Sequence, residues 1–360
     1  GMERLGRRQT LFLIIVLLFF LSSLASYALH PGELAAYRVK RFALVALCGM
    51  GSMLFVHKFI PQGFEVKHFA MALVTSTLVT GPIALYMFYY IDTDWRVAIG
   101  PNYPTIFGDI ACLNAMLCFY LALNERHSAL LKYALYLGIV GALMAAYASG
   151  ARGAWLGLMV LLPVIVVLQP ALSPRARLLW LLVIVLGAVG LYATNFFVGA
   201  RIDEMMREVQ SYISYGETSS SSGTRIEFWR ASLLSLQQSP WLGAGDQRLG
   251  EAFAQLIEQG RVSPQVADYV HVHNDFLQLA YSKGLPGVGL YIALLALPIL
   301  VAAPAWRQMA IVLSFAYLVF GATDCLFIIE MSTIYYFLLS VFLLSFRAPR
   351  PTADSPQNRP

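Results

Sequence analysis

The chain has 360 residues, 58% of them hydrophobic and only 12% charged, with a mean hydropathy of +0.65. A soluble domain carries roughly 25% charged residues, so the composition excludes an ordinary soluble fold and predicts an all-α, polytopic membrane protein. The net charge of +5 suits anionic lipid headgroups, and no basic run with interleaved aromatics points to nucleic acid.

A membrane-crossing helix takes about 20 apolar residues. In chain order the apolar stretches fall at 10–29, 42–60, 69–91, 105–123, 129–148, 153–169, 178–198, 285–303, 309–329 and 332–346, ten in all. Pro82 and Pro163 predict kinks inside two of them, tolerated where neighbouring helices re-satisfy the backbone. Arg4, Arg7 and Arg8 precede the first stretch, which predicts a cytoplasmic N-terminus. Alternation then puts Arg126, Lys132, Arg175, Arg177, Arg307, Arg347 and Arg350 on the same side. Arg38, Lys40 and Arg41 fall on the outer side and stand against this orientation. Cys48, Cys112, Cys118 and Cys325 sit in apolar runs with no C-x-x-C pair, and read as small buried hydrophobes.

One long hydrophilic segment, 199–284, interrupts the apolar pattern. The expected organisation is 1–198 as N-terminal transmembrane helices, 199–284 as one large, mainly helical loop, 285–346 as C-terminal transmembrane helices, and 347–360 as a cytoplasmic tail. Within the loop, 217–223 reads as a flexible stretch. Thr224 and Glu227 have the spacing of a capping box, and the helix it opens is expected to stop at Pro240 and to place Arg225 in its first turn. A second helix is expected near 246–259, with Gly260 as its stop. Asn274 or Asp275 is placed to cap a third, ending at Gly284, with Pro286 restarting the chain at the head of a membrane span.

The densest polar cluster is His271-Val272-His273-Asn274-Asp275, at the edge of an apolar stretch. Polar groups at membrane depth are costly and mark function by default. Imidazole titrates near neutrality and is the usual general base, which singles out His273. A histidine that merely hydrogen-bonds at a helix start is the plainer reading. His271, two residues away, points elsewhere unless the backbone turns. Asn274 is most simply a helix cap, with orientation of His273 or of a substrate as the alternative. Guanidinium groups bind phosphate oxygens bidentately, which marks Arg152 and Arg225, then Arg201 and Arg96, with Arg248 and Lys283 behind them. Arg152 also reads as a snorkelling side chain. Asp324 lies near the end of an apolar stretch and is placed to pair with an arginine or to orient His273. Asp92-Thr93-Asp94 matches a short metal motif of nucleotide-sugar enzymes, but three-residue matches are common by chance, and no metal is expected. A P-loop, a serine nucleophile elbow and a zinc helix are all absent from the sequence.

His273-Asn274, nine residues, Gly284, two residues and Gly287 resemble the signature of bacterial O-antigen ligases. The runs Ser149 to Gly153, Gly223-Thr224-Arg225, Trp229 and Pro240 to Gly245 are also similar to the O-antigen ligase and polymerase superfamily. The resemblance covers about 149–290. It implies a bundle of about twelve spans, so ten would mean two fewer N-terminal spans or a shortened chain. It also implies metal- and cofactor-free transfer of a glycan from undecaprenyl diphosphate to lipid A–core oligosaccharide at the periplasmic face of the inner membrane. His273 would then be the base and the arginines the diphosphate ligands. A direct displacement would invert the anomeric carbon. O-antigen polymerases and protein O-oligosaccharyltransferases share this chemistry. A lipid-carrier or polysaccharide transporter, or a non-catalytic assembly protein, would use the same residues without it.

Overall fold

The computed structural model describes residues 5–60, 62–91, 96–99, 103–123, 127–193 and 197–346. It is helical throughout, and a bridge between Phe64 and Phe346 is the extended pairing among the described residues. The helices are α1 (Arg7–Leu29), α2 (Glu33–Phe59), α3 (Val66–Tyr90), α4 (Pro104–Ala122), α5 (Ala129–Ser149), α6 (Arg152–Leu168), α7 (Pro174–Ala193), α8 (Phe197–Tyr215), α9 (Ser221–Gln238), α10 (Leu249–Ala252), α11 (Ala254–Glu258), α12 (Asp275–Val301), α13 (Arg307–Gly321) and α14 (Glu330–Ser345).

Among the described residues six helices, α1 to α5 and α12, are long and apolar enough to cross a membrane, and α6 and α14 are shorter apolar helices. This is a multi-pass membrane protein. One of the ten expected stretches is interrupted. The stretch 309–329 is not one helix: α13 ends at Gly321, and 322–329 runs as turns before α14 begins at Glu330. Irregular backbone at membrane depth survives only when protein groups satisfy its polar atoms. Here the fully buried Asp275 carboxylate accepts the N–H groups of Leu326 (3.1 Å) and Phe327 (2.9 Å). The Asp324 carboxylate accepts that of Cys325 at 2.8 Å.

The core runs through α1 to α6 and α12 to α14, with α4 buried on nearly every side. A second, smaller core forms under the hydrophilic segment from Phe228, Leu249, Phe253, Leu256, Val266, Val272 and Tyr281.

Inside that segment α8 was not expected, and the three expected helices are found with changed bounds. The N-cap of α9 is Ser220, whose Oγ accepts from Gly223 N–H at 3.1 Å, so the helix begins three residues ahead of Thr224. Thr224 instead donates its hydroxyl back to the carbonyls of Thr218 (2.7 Å) and Ser220 (2.9 Å). Glu227 faces away from the cap, accepting from Tyr212 Oη at 2.6 Å and Ser263 N–H at 3.0 Å. Arg225 therefore lies beyond the first turn. The helix stops before Pro240 as expected, and the expected 246–259 helix is split into α10 and α11 at Phe253.

α12 begins at its Asn274 cap and departs from helical geometry at Gly284 (φ 64°, ψ −156°). Pro286 has no N–H to offer the Ser282 carbonyl, so the helix cannot continue its own ladder there. The 240–245 loop supplies what is missing. Ala244 N–H donates to Tyr281 O (2.7 Å), Gly245 N–H donates to Ser282 O (3.0 Å), and Leu285 N–H donates to Pro240 O (2.7 Å). A Cβ on Gly284 would lie 2.5 Å from Pro240 O, which is why glycine stands at this place in the motif.

Candidate active site

Five chain connections meet at one end of the bundle: the α1–α2 link, the segment ahead of α4, the α5–α6 junction, the 216–274 stretch and the 322–329 break. Between them lies a polar cleft made of two adjoining pockets. The larger encloses about 430 Å³ and is lined by Arg96, Thr105, Arg225, Phe228, His271, His273 and Asp324, among others. The smaller shares Arg96, Thr105, Ser221, Arg225 and Asp324 and adds Asp109, Arg152 and Ser222.

The histidines are held by alternate anchoring of their strand of backbone. Val270 O accepts from Arg38 Nη2 at 2.7 Å. Val272 N–H donates to Gln278 Oε1 at 3.1 Å, and its side chain fills the small core. Asn274 N–H donates to Cys325 Sγ at 3.2 Å. Asn274 also caps α12 through Leu277 N–H (2.9 Å) and donates its amide to Ala322 O (3.0 Å), so it ties the histidine segment to the helix break, as a cap rather than as a cleft residue. With residues 270, 272 and 274 fixed, the side chains of His271 and His273 are left for the cleft.

His273 has φ 50°, the one non-glycine residue with positive φ among those described. The left-handed region costs a residue with Cβ roughly 1–2 kcal/mol. This is the backbone turn that His271 needs to join the site: the two rings lie 4.1 Å apart between centroids. Phe228 stacks on His273 at 6.1 Å. His273 Nδ1 lies 3.4 Å from Asp324 Oδ1. Burial, with His273 beside it as a smaller cause, pushes the His271 imidazole down to about 3, so His271 is neutral near pH 7.

Arg152 opens α6 two residues after the left-handed Gly150. It lacks nearby anions in sequence but finds two in the fold, Glu204 and Glu208 of α8, each at 3.3 Å. Glu208 also accepts from Ser222 N–H (3.1 Å) and Ser222 Oγ (2.5 Å) at the start of α9. Its carboxyl sits below the usual range: burial raises it, but the Ser222 bonds and Arg152 more than offset that. Arg201 lies in α8, and its side chain is outside the described residues, as is the whole of Asp92-Thr93-Asp94. Arg248 and Lys283 do not line the cleft. Lys283 instead forms a buried ion pair with Asp246, which also pairs with Arg38 at 2.8 Å.

The sequence reading missed Asp109, Thr105 and Glu208. Asp109 was open to the same argument as Asp324, a carboxylate inside an apolar helix. Glu208 carried no signal, because nothing local tells a partner of Arg152 from a solvated charge.

Residues 134–292 match the profile of the family described as O-antigen ligase. An uncharacterized protein of Haemophilus influenzae strain Rd is 24% identical over 252 residues, covering 67% of this chain and 63% of that one. The match thus spans less than two thirds of that relative's length. The family segment contains Arg152, Arg225, His271, His273, Gly284 and Gly287, the residues that build most of the cleft and the α12 break. Residues 134–292 are thus similar to the O-antigen ligase superfamily, whose members are membrane glycosyltransferase-like enzymes.

Proposed function

We propose that the protein is an O-antigen ligase-type glycosyltransferase. It would move a glycan from undecaprenyl diphosphate to lipid A–core oligosaccharide, with its cleft at the periplasmic face of the bacterial inner membrane. The observation that carries this reading is the meeting of His273 with Arg96, Arg152 and Arg225 around one polar cleft at an end of an apolar bundle. A base and a cationic cradle are what the reaction asks of a protein.

In this reading an acceptor hydroxyl attacks the anomeric carbon as the bond to the diphosphate breaks. His273 takes the hydroxyl proton. Its Nδ1 faces Asp324, which leaves Nε2 for the substrate. Charge building on the departing diphosphate is met by the guanidinium groups, fixed in place before the reaction begins. No protein nucleophile intervenes, so the anomeric configuration inverts. The chain's orientation also finds support: Arg38 and Arg41, which stand against it in sequence, are paired with Asp246 and Glu330 and do not act as free cytoplasmic anchors.

The test is transfer in vitro with undecaprenyl-diphosphate glycan and lipid A–core, comparing wild type with His273→Ala. Loss of a general base costs roughly 10²–10⁴-fold, and glycan should reach lipid A–core at the full rate with wild type alone. Glycan lengthening on its own carrier would mean a polymerase. No product from folded wild type would move the protein to another acceptor or to transport.

A further inference from the structure

His271 is not explained by a single-base mechanism, and it is not a packing residue. Its Nδ1 is buried without a hydrogen-bond partner among the described residues, and beside it His273 Nδ1 and the Asp324 carboxylate face each other at 3.4 Å. Buried polar atoms left unpaired are costly and call for a reason. These three side chains converge: each offers one ligand atom, and all three atoms lie within 4.8 Å of one another. The convergence is built by the backbone, through the positive φ of His273 and the anchoring of residues 270, 272 and 274.

We propose that His271, His273 and Asp324 form a binding site for a divalent transition metal of the Zn²⁺ type, and that its occupation arrests the reaction. Zinc binds imidazole nitrogen at about 2.0–2.1 Å and carboxylate oxygen at about 2.0–2.2 Å. Tetrahedral ligand atoms at those lengths lie about 3.3 Å apart, which small side-chain rotations reach from the present spacing. Two imidazoles and one carboxylate favour a transition metal over Mg²⁺ or Ca²⁺, which take oxygen ligands. The fourth position opens on the 430 Å³ pocket, where water or a substrate hydroxyl completes the shell. Arg225 lines the same pocket and opposes a second cation. The Asp324 charge and the three metal–ligand bonds act against that repulsion, and a phosphate anion on Arg225 would relieve it.

Arrest rests on the reading of His273 as the base: a metal on His273 and Asp324 removes both the base and the group that orients it. The metal site itself does not depend on that reading.

The experiment uses the full chain, purified in detergent and stripped with a chelator. Titration with ZnCl₂ in a calorimeter should show one saturable equivalent, weakened roughly tenfold or more in His271→Ala, His273→Ala and Asp324→Asn. It should be unchanged in His57→Ala, which lies at the other end of α2. Should a variant fail to fold, X-ray absorption of wild type loaded with Zn²⁺ still decides, because two imidazole ligands must appear. Absence of a saturable equivalent, equal affinity in the three variants, or a spectrum without imidazole would overturn the site. In the transfer assay, Zn²⁺ at saturating concentration should stop product formation and chelator should restore it. Transfer that continues at full occupancy overturns the arrest. Zinc binding by a protein that never transfers glycan leaves the site standing and sinks the ligase reading.

Discussion

At the scale of single residues, the cleft is a set of charges whose partners are already chosen. Arg152 meets Glu204 and Glu208 at 3.3 Å each, so a diphosphate that uses this arginine must displace or share those contacts. Ion pairs that are partly exposed are worth about 1 kcal/mol or less, which a doubly charged ligand can exchange. Replacing Glu208 by Gln should therefore lower the donor KM by up to roughly fivefold and leave kcat in place. A raised KM would show that the carboxylates steady Arg152 instead of competing for it. Asp324 acts differently. It approaches His273 Nδ1 and lines the cleft wall, so Asp324→Asn should lower kcat with little change in donor KM. Equal loss in Asp324→Asn and His273→Ala, with no further loss in the double variant, would mark the two as one unit. The chemistry-bearing types were legible in the sequence because His273, Arg152 and Arg225 are rare polar residues in an apolar chain. Their partners were not, because Glu204 and Glu208 reach Arg152 only through packing.

At the scale of elements, the motif glycine and proline describe a helix break and not a loop end. Gly284 takes φ 64° and ψ −156°, a region open essentially to glycine, and the 240–245 loop uses the opening to bond the Tyr281 and Ser282 carbonyls. Gly284→Ala adds backbone strain of about 1–3 kcal/mol and sets a methyl group against Pro240 O. Thermal unfolding in detergent should fall by several degrees, and proteolysis should open the 240–245 loop first. An unchanged melting temperature would mean that the loop gives way at no cost. The break itself was visible from Gly284 and Pro286 in the sequence. The matching break at 322–329 was not, since Ala322 to Ile329 is apolar apart from Thr323 and Asp324. What ends α13 is the distant Asp275 carboxylate receiving two N–H groups, a tertiary bond that hydropathy cannot register. The shift of the α9 cap from Thr224 to Ser220 has a similar origin: Glu227 is drawn to Tyr212 and Ser263 and is not available to close a capping box.

At the scale of the whole molecule, one buried ion cluster fastens the first two helices to the half that carries the cleft. Asp246, in the loop that supports the α12 break, binds Arg38 of α2 and Lys283 of α12, and its N–H donates to Ser26 of α1 at 3.0 Å. Arg38 in turn holds Val270 O, one residue from His271. The cluster lies almost wholly out of solvent, so its members cannot be removed singly. Asp246→Asn leaves two buried cations against no anion, a change that costs about 3–5 kcal/mol, and should release α1 and α2 from the histidine segment. Replacing Asp246, Arg38 and Lys283 together by apolar residues of similar volume should recover most of that loss, while transfer stays impaired because Val270 has lost its anchor. Burial raises the Asp246 carboxyl, but Lys283 and then Arg38 outweigh it and bring it down to about 2 from 3.8. A depressed carboxylate stabilises the fold at pH values above its unfolded value, and that contribution fades as pH falls from 3.8 toward 2. Wild type should therefore lose melting temperature steeply across this window, and the triple apolar variant should lose less. Parallel acid profiles for the two proteins would assign the acid sensitivity to other carboxylates and remove Asp246 as the fastening point.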